Sequence, residues 1–462
     1  MDRILIYGEV TKPRINQGYK PIVLSECVIR ERYNNVQQEM VKKELDALLI
    51  YADREHGANF SYLTGFEPRF EEALLIIHRS GENFLVLGNE NMKMEPHCRI
   101  SVKAIHCPCF SLPYQPQEDG LTLKRCLEQA GIQDGMYIGC VGWKSFSGSK
   151  EKECIFDIPS FIIETLYVID KRGRITNETS IFIDSQKGLR IHVNAEEIAY
   201  HEFAAGLASA NVYKVMDEIE VGKTEMEIAS LIVTSGQPLS VTTICATGER
   251  FTNAVVFPRM KKICLGDNIS ITLGLRGGLT SRSAYAVSKK EELSEREREW
   301  LKEVVFPYYR ALTTWLEMIG IGVKCSEIYT EMKRVLPKEK YHWTLNPGHY
   351  TADDEWTSSP FYPESEVVLE SGIILQADII PKVSGYAGVS AEDGVVIMGE
   401  NIVSELRAKY PETWERLRNR KHYVEQVLGI RLKKEVFPMS DICGYVRPFL
   451  LNRELALKWV SN

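Results

Sequence analysis

The sequence predicts an α/β (α+β) protein built as two domains, and three observations carry that expectation. The chain has 462 residues, too many for one ordinary hydrophobic core. Short apolar runs alternate with amphipathic stretches over the first 185 residues, the signature of layered strands and helices. Beyond them the pattern changes to long helical periodicity and then to a strand-rich section. The expected domains are residues 1–185 and 186–462.

In the first domain, ALLIYA (Ala47–Ala52), ALLIIH (Ala73–His78) and NFLVLG (Asn83–Gly88) are short apolar runs bounded by polar and Gly signals, as buried strands are. The spacing of Met40 and Leu45 among charges predicts an amphipathic helix over Val36–Leu45. LTLKRCLEQAGI reads as another helix, stopped by Gly131. From Ala195 to Ile219 apolar residues recur at helical spacing, with Gly222 beyond the end and a second helix starting at Glu225. Strands are expected within Leu239–Val287. A charged helix follows over Glu291–Ile319, whose alternating signs read as a solvated face. Strands return at Gly372–Pro381 and Gly394–Met398, and a helical stretch covers Val403–Leu428. No internal repeat or low-complexity segment stands out.

Composition narrows the function classes. An apolar share of 44% with 26% charged residues is that of a globular protein. The net charge of −7 and the lack of a basic block argue against a nucleic-acid partner. The opening MDRILIYGEVTKPRIN carries Asp2 and Arg3 and lacks the apolar core of a signal peptide. No window reaches the roughly 18 apolar residues of a membrane span. A cytoplasmic location without membrane contact is the expectation. Eleven cysteines, an odd count, argue for reduced thiols. One group, His97, Cys98, His106, Cys107 and Cys109, invites a zinc reading. Zinc needs four convergent ligands. VKAIHCPCF reads as a strand running into a loop, where neighbours point to opposite faces, so structural thiols are expected instead.

The second half resembles the pita-bread family of methionine aminopeptidase, aminopeptidase P, prolidase and creatinase. LRIHVNAEEIAYHEFAA is similar to that family's entry segment and EVGKTEMEIASLI to its helix link. GDNISITLGLRGGLTSRSAYAV resembles the hairpin after its "GD" turn, and NPGHYTADDEW its "GH" loop. LESGIILQADIIP and VSAEDGVVI resemble its last two ligand-bearing strands. The first half, with NFSYLTGF followed by strands, is similar to the creatinase-type N-terminal domain. The resemblance spans nearly the whole chain and implies that domain followed by a pita-bread domain.

In the family two Asp, one His and two Glu hold two divalent cations. Carried over one position at a time, the Asp positions fall on Thr272 and Ser283, the His on His349, and the Glu positions on Asp378 and Glu392. Two such cations about 3.7 Å apart repel by roughly 18 kcal/mol at an effective dielectric of about 20, which bridging carboxylates normally offset. Neutral hydroxyls at two of five positions do not, so no two-metal centre is expected and no metal is assigned. A single divalent cation on His349, Asp378 and Glu392 is the alternative. The family's accessory histidines fall near Pro258 and Trp356.

The resemblance thus implies a creatinase-like hydrolase acting without metal on a small amide or amidine C–N bond. His349 would be the general base, oriented by Glu392 or Asp378. Thr272, Arg282, Ser283 and Tyr285 are candidate substrate-binding residues, although Arg282 and Ser283 face opposite sides of a strand. Arg69 and Phe70 stand where relatives reach the substrate of a partner subunit. Asp353, Asp354 and Glu355 read as a solvated acidic loop, with recognition of a cationic group as the alternative. A catalytically silent homologue binding a peptide or small molecule in the old pocket is the second reading, and a single-metal Xaa-Pro-type peptidase the third. A homodimer is expected by resemblance.

Overall fold

The computed structural model describes residues 3–115, 122–146, 153–249 and 257–461. It divides into two compact units, one of Leu24–Arg190 and one that joins Met1–Val23 to Ile191–Asn462. The expected boundary at residue 185 is therefore corrected, and so is the assignment of the first residues. Strand β1 (Arg3–Glu9) pairs antiparallel with a strand at Leu455–Ser461, from Arg3 opposite Ser461 to Glu9 opposite Leu455. That ladder satisfies the backbone of β1, so the opening segment belongs to the later unit.

The unit Leu24–Arg190 is a mixed sheet with helices on it. The helix Glu26–Lys42, capped by Ser25, replaces the shorter Val36–Leu45 expected. Strands β2 (Ala47–Ala52), β3 (Ala73–His78), β4 (Asn83–Leu87), β5 (Lys103–His106), β6 (Tyr137–Val141) and β7 (Arg174–Asn177) lie in the order β5-β4-β3-β2-β6-β7. The three apolar runs are the strands β2, β3 and β4, as expected. Strands β2 and β3 are buried along their whole length because both faces of the sheet are covered. Leu49, Ile76 and Ile138 pack on one face, Leu48, Leu75 and Ile77 on the other.

In the other unit, the helix Ala195–Asp217 starts at a capping box: Asn194 accepts from the Glu197 backbone, and the Glu197 carboxylate accepts from that of Asn194. Strands β8 (Ile244–Thr247), β9 (Asn268–Leu275), β10 (Gly278–Tyr285), β11 (His349–Tyr350), β12 (Ile373–Gln376) and β13 (Ser390–Ile397) form one sheet in the order β11-β12-β13-β10-β9-β8, with β14 (Val436–Pro438) also on β13. Strand β13 changes neighbour along its length. Its first half pairs with β10 and its second with β12 and β14, which bends the sheet. Strand β15 is the Leu455–Ser461 partner of β1. The expected charged helix Glu291–Ile319 breaks into short turns before a regular helix at Phe306–Met318, whose Tyr308, Tyr309 and Trp315 are buried. The stretch Val403–Leu428 is two helices, Glu400–Lys409 and Pro411–Gln426, because Pro411 has no backbone donor and starts a new helix at its N1 position. No helix among the described residues is long and apolar enough to cross a membrane.

Candidate functional site

A two-residue turn at Arg276 and Gly277 joins β9 to β10 and sets their register, with Gly277 at φ +101°. Counting back from Leu275 opposite Gly278 places Ser281 opposite Thr272, and β13 continues the row with Glu392 opposite Ser281. The two hydroxyls are hydrogen-bonded at 2.6 Å. Ser281, not Ser283, therefore stands between Thr272 and Glu392. Ser283 lies two residues along the strand on the same face and is hydrogen-bonded to Ser390 at 3.0 Å.

His349 opens β11, opposite Gln376 of β12, and Asp378 follows two residues later. Gly348 fixes the entry: its φ is +112°, and a Cβ there would sit 2.7 Å from the Gln376 carbonyl oxygen. The His349 side chain is fully buried. Its Nδ1 donates to the Tyr350 carbonyl at 3.0 Å, and its Nε2 lies 3.3 Å from Glu355 Oε1. That second contact has the distance of an ion pair without the alignment of a hydrogen bond. Trp356 stacks on the imidazole at 4.3 Å between centroids and 21° between planes. Gln376 Nε2 donates to the same Glu355 oxygen at 3.3 Å. Gln376 Oε1 and Asp378 Oδ1 are buried without a hydrogen-bond partner.

The electrostatics follow from this enclosure. Burial pulls the His349 pKa down, but the close contact with the Glu355 carboxylate and then the Asp378 charge outweigh it and hold the imidazole above its ordinary value. Burial pushes the Asp378 carboxyl up to about 6, with His349 opposing and Glu355 adding to the rise. Glu392 is raised well above the carboxylate range by burial, then by the charges of Asp378 and Glu355. The two carboxyls also act on each other, and both are held above the ordinary carboxylate range.

Three sequence expectations are corrected by side-chain direction. Arg282 points away from Thr272, Ser281 and Glu392. Its guanidinium pairs with Asp393 at 2.8 Å and donates to the carbonyls of Ser281, Ile442 and Tyr445, which leaves it committed to the core. Tyr285 is also core: its hydroxyl donates to Glu297 at 2.9 Å and accepts from the Ala387 backbone, and its ring packs edge-on to Trp300. The acidic loop is not uniformly solvated. Asp353 accepts from the Tyr200 hydroxyl at 3.2 Å, while Glu355 turns in to His349. Arg69 and Phe70 lie in the Leu24–Arg190 unit, where the guanidinium sits 4.9 Å over the Phe70 ring and Phe70 is exposed at φ +66°. The accessory positions hold Pro258 and Trp356, and most of TNAVVFPR lies outside the described residues. Sequence reasoning missed Ser281 and Gln376 and misplaced Glu355. The Gly277 turn was the available signal for Ser281, through its register.

A cation would have to be held by His349, Asp378 and Glu392. Thr272 and Ser281 bond each other, and Glu355 stands 3.3 Å from the imidazole nitrogen a metal would use. Among the described residues no three His, Cys, Asp or Glu side chains are gathered as a metal site requires. A separate open groove of about 840 Å³ lies between the segment Ile15–Tyr19 and the helix Ala195–Asp217, and none of these site residues lines it. Its polar walls are largely committed, Asn16 and Tyr19 to Asp441 and Asn211 to Leu207 and Val233.

Known proteins match this arrangement in both parts. The metallopeptidase family M24 model matches residues 199–398, and the creatinase/prolidase N-terminal domain model matches residues 32–98. No curated protein sequence matches the chain. Among solved structures, prolidase from Pyrococcus horikoshii OT3 is 20% identical over 80% of this chain and 95% of that one, with a TM-score of 0.60. Prolidase from Thermococcus sibiricus is 18% identical over 82% and 95%, at 0.64. X-Pro aminopeptidase from Thermotoga maritima MSB8 is 16% identical over 79% and 95%, at 0.59. At these identities the structures speak for the fold, and the two family models carry the sequence relationship. The chain belongs to the creatinase, aminopeptidase P and prolidase family of pita-bread proteins.

Proposed function

We propose that this chain is a hydrolytically silent member of its family that binds the amine- or amidine-bearing end of a peptide or small molecule at Glu355, Asp378 and Glu392. The observation that supports this most is the engagement of His349. A general base needs a free nitrogen within reach of water. Here Nδ1 is used by a carbonyl, Nε2 faces a carboxylate, and Trp356 covers the ring. Glu355 also raises the pKa of the imidazole, which makes its free-base form scarcer. The remaining groups favour a cation: three carboxyls, Glu355, Asp378 and Glu392, stand with one imidazole. Glu355 keeps 21% of its side-chain surface exposed, so the cluster opens on that side.

A second reading, metal-independent hydrolysis of a small amide or amidine C–N bond with His349 as base, draws on the raised carboxyls of Asp378 and Glu392. A carboxyl that keeps its proton beside an imidazole is the raw material of an acid and base pair. It requires Glu355 to leave Nε2. One experiment separates the two. Xaa-Pro dipeptides and small amidines are assayed for turnover with and without Mn²⁺, and the same compounds are titrated by calorimetry. The expected result is no turnover above a His349→Ala control, with binding that Glu355→Gln weakens by about tenfold. Turnover that disappears in His349→Ala would overturn the silent reading and establish the hydrolase.

A further inference from the structure

The cysteines that follow β5 were expected to be structural thiols. Cys107 leaves the strand and Pro108–Phe110 winds as a 3₁₀ turn. With Pro108 between them, the Sγ atoms of Cys107 and Cys109 lie 2.9 Å apart. Cys107 is buried, whereas Cys109 is exposed. A third thiol, Cys126 on the helix Leu123–Gln129, lies behind them, buried and donating to the His106 carbonyl at 3.6 Å.

The thiols differ in chemical role. The nucleophile in any thiol reaction is the thiolate, and it must be reachable. Hydrogen bonding to Cys109 and Cys126, with burial, pushes the Cys107 thiol up, so Cys107 keeps its proton. Hydrogen bonding from Cys107 is the main effect pulling Cys109 down, so Cys109 is the more acidic and the exposed member of the pair. An accessible attacking thiol with a second thiol against it is the arrangement of a redox pair rather than of inert core cysteines.

We infer that Cys107 and Cys109 form a redox-active dithiol that closes to a disulfide by exchange with a low-molecular-weight disulfide such as oxidised glutathione. The Cys109 thiolate attacks one glutathione sulfur, forms a mixed disulfide and expels a glutathione thiolate. The Cys107 sulfur, giving up its proton, then attacks Cys109 Sγ and expels the second glutathione thiolate. Two protein thiols are oxidised, one glutathione disulfide is reduced to two glutathione thiols, and the two protons go to the leaving thiolates. A disulfide needs about 2.05 Å between sulfurs, so closure shortens the existing contact by only about 0.9 Å.

The test uses the whole protein equilibrated in mixtures of reduced and oxidised glutathione, quenched with N-ethylmaleimide and mapped by peptide mass. The expected result is a peptide holding Cys107 and Cys109 that has lost two hydrogens and carries no maleimide. The exposed Cys27, Cys154 and Cys264 serve as internal controls that take up glutathione. In Cys107→Ser the Cys109–glutathione adduct should accumulate about tenfold over the native chain, because no neighbouring thiol displaces it. Cys109→Ser, at an exposed position, should abolish the closure with the fold intact. Maleimide on both Cys107 and Cys109 in a buffer that modifies the three controls overturns the inference. So does a disulfide from Cys107 to Cys126 in place of Cys109.

Discussion

Glu355→Gln removes the charge against His349 while keeping the shape of the side chain. The two groups are 3.3 Å apart, which corresponds to about 5 kcal/mol at an effective dielectric of about 20. Glu355 keeps 21% of its side-chain surface exposed, so solvent screens part of this, and a net cost of about 2–3 kcal/mol is expected at pH 6. The pH dependence gives the sharper readout. The folded pKa of His349 is raised above its ordinary 6.5, so this stabilisation is complete below 6.5 and is lost as pH rises through the folded value. Urea unfolding of the native chain should therefore lose stability across that window, and Glu355→Gln should flatten the profile there. His349 assigned in NMR spectra should titrate above 6.5 in the native chain and lower in the variant. A native His349 that titrates at or below 6.5, or that is indifferent to Glu355→Gln, would refute the idea that Glu355 holds it protonated.

Asp378, pushed from 3.8 to about 6, disfavours its own ionised form in the fold, so stability should fall by about 3 kcal/mol as pH rises from 3.8 to 6. Asp378→Asn should remove most of that slope in the same unfolding assay and be the more stable protein at pH 7.5. Protein purified without chelator after growth with Mn²⁺ and Zn²⁺ should carry far less than one metal per chain by mass spectrometry, while Thr272→Asp combined with Ser281→Asp should gain Mn²⁺. Near-stoichiometric metal that Asp378→Asn or Glu392→Gln removes would restore the single-metal peptidase reading. Glu202, fully buried, pairs with Arg416 at 2.5 Å and Arg420 at 2.6 Å, and Arg420 pairs with Asp441 at 2.7 Å. Glu202→Gln leaves buried guanidinium charge uncompensated and should cost about 3–5 kcal/mol in urea unfolding.

Local pattern carried the fold a long way. Strands such as β2 and β3 are continuous apolar runs because a sheet covered on both faces buries every side chain. The start of the helix at Ala195 was written in Asn194 and Glu197, a reciprocal cap. The neutrality of Thr272 was equally plain, because charge is a property of the residue itself. What sequence spacing could not give was direction and partnership. A register set by a two-residue turn puts Ser281 opposite Thr272, a neighbour that sequence spacing did not name. One residue of strand parity sent Arg282 to Asp393 and the core instead of towards a substrate. Cys107 and Cys109 converge only because a strand ends between His106 and Pro108, and strand ends are poorly marked in sequence. Strand β1 has the alternation of a strand, yet nothing nearby in sequence names its partner.

That distant partner has a consequence for how the protein is made. Residues Arg3–Glu9 are synthesised long before Leu455–Ser461, the segment whose backbone completes theirs. At ribosomal rates of roughly 5–20 residues per second the wait is tens of seconds, during which a strand carrying Ile4, Leu5, Ile6 and Tyr7 has bare edges. The contiguous segment Leu24–Arg190 has its own sheet and can fold during that time. The strand Leu455–Ser461 thus works as a clasp that closes late, and a nascent chain halted before Leu455 would expose a sticky strand for chaperones or proteases to find.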